Sequence, residues 1–214
     1  MNDRLCLILA GGDPAALPDR IPDAVDLVIA ADSGVHLAER LGVTVDLIVG
    51  DFDSARPDAV GRARQRGASI ERHPVDKDAT DLELALQAAA ARRMSTVIVI
   101  GGTSLDRIDH LLANASVIAS PRFADLRVEW WLGSSRVLVA RGDLAIEGGA
   151  GDIVSIIPVG GDVEITTRGL RWPLDHDRLS QGTARGVSNE MRGPTAALAV
   201  TAGTALVIHT RRPA

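Results

Sequence analysis

The two halves of the chain differ in the pattern of their hydrophobic and polar positions. In the first half, short apolar and β-branched runs alternate with longer segments whose apolar residues recur at helical spacing. This alternation is typical of an α/β domain with a mainly parallel sheet. The pattern predicts strands at 4–10, 27–30, 47–49, 68–73 and 96–100, and helices at 35–41, 57–66, 80–93 and 108–119.

From about Leu126 the helical spacing gives way to short alternating runs separated by Gly, Asp and Pro. This texture predicts an antiparallel β-sandwich. We therefore expect an α/β domain over 1–125 and a β-sandwich domain over 126–214, with the alternative that the strand beginning near Leu126 joins the first sheet. The predicted strands of this half are 127–132, 136–140, 153–158, 163–167, 183–187, 196–200 and 205–209.

Composition restricts the class of protein. A chain of 214 residues with 46% hydrophobic and 24% charged residues is typical of a soluble globular protein. The sequence shows no apolar stretch of membrane-spanning length and no secretory pattern at its start, so we expect a cytoplasmic protein without membrane association. A net charge of −5 argues against a nucleic-acid partner. The single cysteine, Cys6, lies in the first apolar run and is interpreted as a core residue.

Candidate chemistry is concentrated in the loops that follow the first five predicted strands. Ligands of parallel sheets bind at the carboxyl ends of the strands, where such loops meet. Each loop is acidic, glycine-rich or both, which indicates Mg²⁺ held by carboxylates and by substrate phosphates that glycine backbone N–H groups can approach. The loops are Gly11-Gly12-Asp13, Ala31-Asp32-Ser33-Gly34, Gly50-Asp51-Phe52-Asp53, Asp76-Lys77-Asp78-Ala79-Thr80-Asp81 and Gly101-Gly102-Thr103.

The acids in these loops also have a simpler interpretation as helix caps. If the backbone stays extended through Phe52, the side chains of Asp51 and Asp53 point to the same side and share a cation or repel each other. Alternatively they belong to a solvated turn that caps a following helix. Capping explains one acid per loop, but it does not explain pairs of acids or the position of Lys77, the only lysine among 23 basic residues, between them.

Several common site types are missing from the sequence. It contains neither G-x-x-x-x-G-K-[ST] nor G-x-G-x-x-G after a strand, which disfavours a P-loop NTPase and a dinucleotide dehydrogenase. It also lacks histidines and cysteines at zinc spacing and a G-x-S-x-G elbow.

A series of motifs along nearly the whole chain resembles the thiamine pyrophosphokinase family. In the first half they are Ala31-Asp32-Ser33-Gly34, Gly50-Asp51-Phe52-Asp53-Ser54, Lys77-Asp78-Ala79-Thr80-Asp81 and Arg107-Ile108-Asp109-His110. In the second half they are the segments 151–158, 166–174 and 186–190. One departure is Ser104-Leu105-Asp106, which replaces the glycine-rich turn usual in the family before Arg-x-Asp-His.

The resemblance implies transfer of the pyrophosphoryl group of ATP to the hydroxyl of thiamine, with Mg²⁺, giving thiamine diphosphate and AMP. It also implies a homodimer whose active sites lie between the α/β domain of one subunit and the β-domain of the other. Two alternatives remain: a pyrophosphokinase or kinase for another hydroxymethyl heterocycle, and a non-catalytic nucleotide- or thiamine-binding protein.

Roles for individual residues follow as hypotheses. Asp51, Asp53 and Asp81 are expected to hold Mg²⁺, with Asp32 and Asp78 as a further ligand or as the group that positions the attacking hydroxyl. Lys77 and Arg107 are expected to neutralise phosphate charge. Further contacts to ATP are assigned to Gly11, Gly12, Ser33, Gly50, Thr80, Gly102, Asp109 and His110.

Some of these residues, and those assigned to thiamine, have structural alternatives. Asp109 is a possible helix cap and His110 a possible packing histidine. Trp172 is a candidate platform for stacking on a cationic or aromatic heterocycle. The resemblance implies that it faces the aminopyrimidine of thiamine, with Ser188 and Asn189 supplying hydrogen bonds. The alternative for Trp172 is a rim tryptophan that closes the sandwich.

Overall fold

The computed structural model describes residues 3–12, 17–18, 20–103 and 107–212. The chain divides into two compact units, Met1–Gly133 and Ser134–Ala214. The predicted Asp13 and the departure at 104–106 lie outside the described residues.

The first unit is an α/β domain whose described strand pairs are all parallel. Its sheet order is β6-β5-β1-β2-β3-β4. The central strand β1 is buried along almost its whole length, as expected for a parallel strand covered on both faces. The strands are β1 (Leu5–Ala10), β2 (Leu27–Ala31), β3 (Leu47–Gly50), β4 (Ser69–Arg72), β5 (Thr96–Ile100) and β6 (Arg127–Leu132), and the helices are α1 (Gly34–Leu41), α2 (Pro57–Gln65), α3 (Asp81–Ala91) and α4 (Ile108–Ile118).

The helix α3 shows which residue acts as the cap next to the predicted acids. Thr80 is its N-cap, and the Thr80 hydroxyl accepts a hydrogen bond from the backbone N–H of Glu83 at 3.2 Å. Thr80, and not Asp78 or Asp81, therefore caps the helix, so both carboxylates are free of that role and can have other partners.

The strand β6 determines where the first unit ends. It pairs in parallel with β5 from Thr96 opposite Arg127 to Ile100 opposite Trp131. The division at 133/134 therefore follows the predicted alternative, in which this strand joins the first sheet, rather than a boundary at 125/126.

The second unit is an antiparallel β-sandwich with sheet orders β12-β9-β14-β7 and β11-β10-β13-β8. Its buried core draws on both sheets, for example Ile156 and Val207 from one and Ile165 and Leu198 from the other. The strands are β7 (Ser135–Ala140), β8 (Asp143–Glu147), β9 (Ile153–Pro158), β10 (Val163–Arg168), β11 (Asp177–Leu179), β12 (Asn189–Glu190), β13 (Thr195–Ala202) and β14 (Ala205–Thr210).

The predicted strand at 183–187 is wrong. The segment forms turns, with hydrogen bonds from Thr183 N–H to the Ser180 carbonyl and from Val187 N–H to the Ala184 carbonyl. Gly186 instead lies against β9, where a Cβ would come within 2.4 Å of the Ile156 carbonyl oxygen. Gly186 therefore makes the close approach to β9, whereas the β-branched Val187 is 45% exposed.

Two further observations concern the predicted class. Among the described residues, none of the helices has both the length and the apolar character needed to cross a bilayer. Cys6 is fully buried in β1, and burial, reinforced by the charge of Asp46, raises the pKa of its thiol to about 12. The thiol therefore stays protonated, and the interpretation of Cys6 as a core residue is confirmed.

Candidate active site

A cavity of about 570 Å³ lies at the carboxyl ends of the strands of the first unit. The loops after β1, β2, β3 and β5 and the segment before α3 all contribute to its wall. The predicted residues that line it are Gly11, Gly12, Asp32, Ser33, Asp51, Asp53, Lys77, Thr80, Asp81, Gly102, Arg107 and His110.

Three carboxylates meet in this cavity. One oxygen each of Asp32, Asp51 and Asp53 lies within 4.8 Å of the others, a spacing that a single cation can bridge. The backbone is not extended between the second and third acids, since Phe52 has a φ of +67° and Asp53 N–H donates to Asp51 Oδ1 at 3.1 Å. The loop thus reaches by a left-handed turn the side-chain convergence that an extended strand was expected to give.

Asp32 is the most buried member of this cluster. It is 5% exposed, has a φ of +43°, and its Oδ1 is a buried atom with no hydrogen-bond partner among the described residues. Burial raises the pKa of Asp32, and the charges of Asp81, Asp53 and Asp51 raise it further, while the Ser33 backbone N–H lowers it. An unpartnered carboxylate oxygen next to like charges is stabilised by a proton or by a bound cation, and the hard oxygens of three carboxylates are ligands that fit Mg²⁺.

Lys77 lies between two acids. Its ammonium hydrogen-bonds to Asp51 and is 2.9 Å from Asp81 Oδ1. The bond from Lys77 lowers the pKa of Asp51. Burial lowers the pKa of Lys77, but its bonds to Asp51 and Asp81 outweigh this and leave the pKa raised. Asp51 and Asp81 are thus both partners of Lys77, while Asp32 completes the three-acid cluster with Asp51 and Asp53. Asp78 is exposed outside the cavity lining.

Glycines let the loops approach one another closely. A Cβ at Gly12 would lie 2.2 Å from the Thr103 carbonyl oxygen, and one at Gly50 would lie 3.1 Å from Asp32 Cβ. Both glycines also have positive φ values, 137° and 151°. The glycines of the motifs therefore serve loop packing around the carboxylates.

Asn114 is a site residue that the sequence analysis missed. It is buried on α4, lines the cavity, and donates from Nδ2 to the Gly102 carbonyl at 2.9 Å. Trp130 fixes the neighbouring peptide by donating from Nε1 to the Gly101 carbonyl at 2.7 Å. The signal in the sequence was an asparagine one turn before Ile118 on the buried face of the helix, a position that normally holds an apolar residue.

Arg107 and Asp109 form an exposed pair at the start of α4. The Arg107 guanidinium holds both Asp109 oxygens, at 3.1 and 2.9 Å, and lowers the pKa of Asp109 to about 2. Asp109 lies in the first turn of α4, where a negative charge is favourable, but the N-cap position belongs to Arg107. The His110 side chain is 51% exposed and lines the cavity, so it is not a packing histidine.

The second unit has its own cavity, of about 330 Å³, beside Trp172. Trp172 is 53% exposed, and the Arg171 guanidinium lies 4.8 Å from the centroid of its ring. Ser188 has a φ of +61° and an exposed side chain at the same cavity. Both side chains are therefore accessible from this cavity.

Asn189 also lines this cavity, and its amide already has partners within the chain. It is buried, its Oδ1 accepts from Trp172 N–H at 3.1 Å, and its Nδ2 donates to the Trp172 carbonyl. Its Oδ1 also accepts from Glu190 N–H at 2.9 Å. The amide therefore holds the peptide of Trp172 and orients the loop that carries the indole.

Comparison with known proteins gives consistent matches over both units. The family model for the catalytic domain of thiamin pyrophosphokinase matches residues 19–130, and the model for the vitamin B1 binding domain of thiamin pyrophosphokinase matches residues 143–207. Over 189 residues the chain is 26% identical to the thiamine pyrophosphokinase of Bacillus subtilis (strain 168), covering 86% of this chain and 88% of that protein. It is 28% identical over 189 residues to thiamine pyrophosphokinase 1 of Oryza sativa subsp. japonica, covering 83% and 66%.

Solved structures show the same architecture. The crystal structure of a thiamin pyrophosphokinase family protein from Enterococcus faecalis superposes with a TM-score of 0.85 at 26% identity, covering 98% of this chain and 100% of that one. The crystal structure of thiamin pyrophosphokinase from Geobacillus thermodenitrificans gives a TM-score of 0.83 at 25% identity, covering 98% and 99%. The expected fold class, an α/β domain followed by an antiparallel β-sandwich, is confirmed.

Proposed function

The chain belongs to the thiamin pyrophosphokinase family, which transfers the pyrophosphoryl group of ATP to the hydroxyl of thiamine, and we propose that its three-acid cluster holds the Mg²⁺ of ATP. The observation that carries this proposal is the buried Asp32, whose Oδ1 has no hydrogen-bond partner among the described residues and whose carboxylate offers an oxygen within 4.8 Å of ligand oxygens from Asp51 and Asp53. Three acids that repel one another are costly unless a cation is bound among them, which favours a metal-dependent transfer over binding alone.

In the proposed reaction, the hydroxyl oxygen of thiamine attacks the β-phosphorus of ATP. The bond from that phosphorus to the oxygen bridging to the α-phosphorus breaks, AMP leaves, and the hydroxyl proton passes to solvent or to a phosphate oxygen. Bound Mg²⁺ would supply charge neutralisation on the phosphates. Such a transfer depends mainly on positioning and on electrostatic stabilisation, so the site needs no strong base.

The cationic side chains have separate roles in this proposal. Lys77 lies inside the cavity, lowers the pKa of Asp51, and holds the carboxylates of Asp51 and Asp81 in place. Arg107 lies at the rim, where it can exchange its exposed partner Asp109 for a phosphate. The loop with Gly11 and Gly12 offers backbone N–H groups to the same phosphates.

A product assay tests the proposed function. With ATP, Mg²⁺ and thiamine, we expect thiamine diphosphate and AMP in equal amounts, measured by chromatography. ADP with thiamine monophosphate would indicate a simple kinase. Turnover only with another hydroxymethyl heterocycle would change the acceptor, and binding without turnover would indicate a binding protein.

Thiamine recognition is proposed for Trp172, because it is the exposed indole of the second-unit cavity. We expect Trp172→Ala to raise the KM for thiamine roughly tenfold, since stacking on a cationic heterocycle contributes about 1 kcal/mol or more. The KM for ATP, measured in the same steady-state assay, is the internal control and should change by less than about twofold. Equal increases in both constants would instead favour the alternative, a tryptophan that closes the rim.

The proposed function also includes the oligomeric state of the protein and its location in the cell. We propose a cytoplasmic homodimer, because the resemblance implies a dimer and because α4 exposes two apolar side chains one turn apart, Ile108 at 59% and Leu112 at 64%. Sedimentation of the purified chain at the mass of one copy would contradict the dimer.

A further inference from the structure

The three acids of the cluster lie on two separate segments. Asp32 precedes α1 by one residue, Ser33, whereas Asp51 and Asp53 lie on the loop between β3 and α2. That loop ends at Arg56, the N-cap of α2. The spacing of the three carboxylates therefore depends on how firmly the end of the loop is held against α1.

Two residues on one face of α1 hold this end of the loop. The backbone N–H of Arg56 donates to Nε2 of His36 at 2.9 Å. One turn further along α1, Glu39 accepts from the Arg56 guanidinium at 3.3 Å and from Arg62 at 2.7 and 3.1 Å. His36 thus supplies a partner for one of the backbone N–H groups at the start of α2, which carries no side-chain cap of its own.

The hydrogen bond to His36 is the contact best suited to fix the loop. The ion pairs involve exposed side chains, at 60% for Arg56 and 44% for Arg62, so each contributes little and tolerates several geometries. The bond to His36 joins a backbone atom to a ring with two rotatable bonds, so it restricts the loop more closely. Because Nε2 accepts this bond, it carries no proton, and the ring hydrogen lies on Nδ1.

We propose that His36 is a positioning residue that sets the distance between Asp32 and the pair Asp51 and Asp53. This inference rests on the proposed function, because it concerns the geometry of the proposed metal site. No pairing of residue types marks His36 in the sequence, since its partner is a backbone atom 20 residues further along the chain.

The test compares variants that remove the two ends of this hydrogen bond. His36→Ala removes the acceptor, and Arg56→Pro removes the donor while suiting the observed φ of −65°. Arg56→Ala is the matched control, because it removes the same side chain and keeps the N–H. His36→Gln restores an acceptor at similar reach.

Mn²⁺ binding in the presence of ATP, followed through the spectrum of free Mn²⁺, is the main measurement. We expect His36→Ala and Arg56→Pro each to weaken Mn²⁺ binding roughly tenfold, as is usual for residues that orient metal ligands. Their double variant should show no further loss. Arg56→Ala and His36→Gln should stay within about threefold of the wild type, and unfolding temperatures identify any variant that is not folded.

Separate outcomes identify which proposal fails. If Asp53→Asn weakens Mn²⁺ binding but His36→Ala and Arg56→Pro do not, the role of His36 is overturned and the metal site stands. If Arg56→Ala loses as much as Arg56→Pro, the ion pairs and not the hydrogen bond hold the loop, which also overturns it. If neither Asp53→Asn nor His36→Ala changes Mn²⁺ binding, both proposals fail together.

Discussion

Replacement of Asp53 by asparagine is expected to lower kcat roughly a thousandfold while leaving the protein folded. Asp53 is exposed to the cavity and contributes one of the three oxygens within 4.8 Å of each other. Asparagine keeps the shape of the side chain and removes the charge that attracts the metal. Metal-based charge stabilisation is worth several kcal/mol, and each 1.4 kcal/mol corresponds to about tenfold in rate.

Steady-state kinetics and thermal unfolding with and without Mg²⁺ provide the measurement. The unfolding temperature without metal should be unchanged or slightly higher, because repulsion within the cluster falls, whereas stabilisation by Mg²⁺ should be lost. Asp125→Asn is the matched control, since it removes an exposed acid of the same unit away from the cavity. Wild-type activity of Asp53→Asn with Mg²⁺ would refute the metal assignment.

The fold was predictable where burial produces a strong pattern. The run of β1 is apolar along its length because both faces of a parallel strand are covered, and its neighbours β2 and β5 show the same texture. The strands β8 and β11 were missed because both lie at the edges of their sheet, where pairing on one side imposes little pattern. Strand propensity also gave a wrong prediction at 183–187, where Gly186 lies against β9 in a segment of turns.

The location of the candidate site was predictable, but the partners within it were not. Ligands bind at the carboxyl ends of parallel strands, and this rule predicts from the sequence that the loops of Asp32, Asp51 and Lys77 lie close together. Side-chain directions decide that Asp51 and Asp81 contact Lys77 and that Asp51 also faces Asp32 and Asp53. The directions of the Asp51 and Asp53 side chains follow from the left-handed turn at Phe52, a conformation that cannot be predicted for a phenylalanine from the sequence.

Residues that act through the backbone left even less signal. Asn114 bonds to the carbonyl of Gly102, and His36 bonds to the N–H of Arg56. Both partners are peptide groups, which every residue carries, so no pairing of residue types marks them in the sequence. Lys77 differs, because its partners are two carboxylates and its singularity among 23 basic residues was visible from the start.

Lys77→Met is expected to lower kcat by roughly 10²–10³-fold, the usual loss when a charge-stabilising group is removed from an active site. Its side chain is 13% exposed and that of its partner Asp51 is 7% exposed, so the change leaves a buried carboxylate without its cation. Breaking such a pair costs about 3 kcal/mol. The variant should therefore also unfold more easily. Mg²⁺ should restore its stability, because the metal can bind the Asp51 carboxylate in place of the ammonium. It should not restore kcat, because the positive charge of Lys77 beside the phosphates is still missing.

The stability that the pair of Lys77 and Asp51 contributes depends on pH in a direction that the two pKa shifts determine. Lys77 lowers the pKa of Asp51 below its ordinary 3.8, so this contribution is present above 3.8 and is lost as the pH falls through the lowered value. The raised pKa of Lys77 means that its contribution is present below 10.5 and is lost as the pH rises through the raised value. The difference in unfolding free energy between wild type and Lys77→Met, measured with urea, should thus be largest between pH 3.8 and 10.5.

Lys77→Arg separates the charge of the side chain from its shape. Arginine should recover most of the stability, but its planar fork does not fit the point between Asp51 and Asp81 as an ammonium does, so kcat should stay at least tenfold below the wild type. Full recovery of kcat in Lys77→Arg would mean that any cation suffices at this position. A kcat for Lys77→Met within about threefold of the wild type would show that Lys77 maintains the loops and takes no part in the transfer.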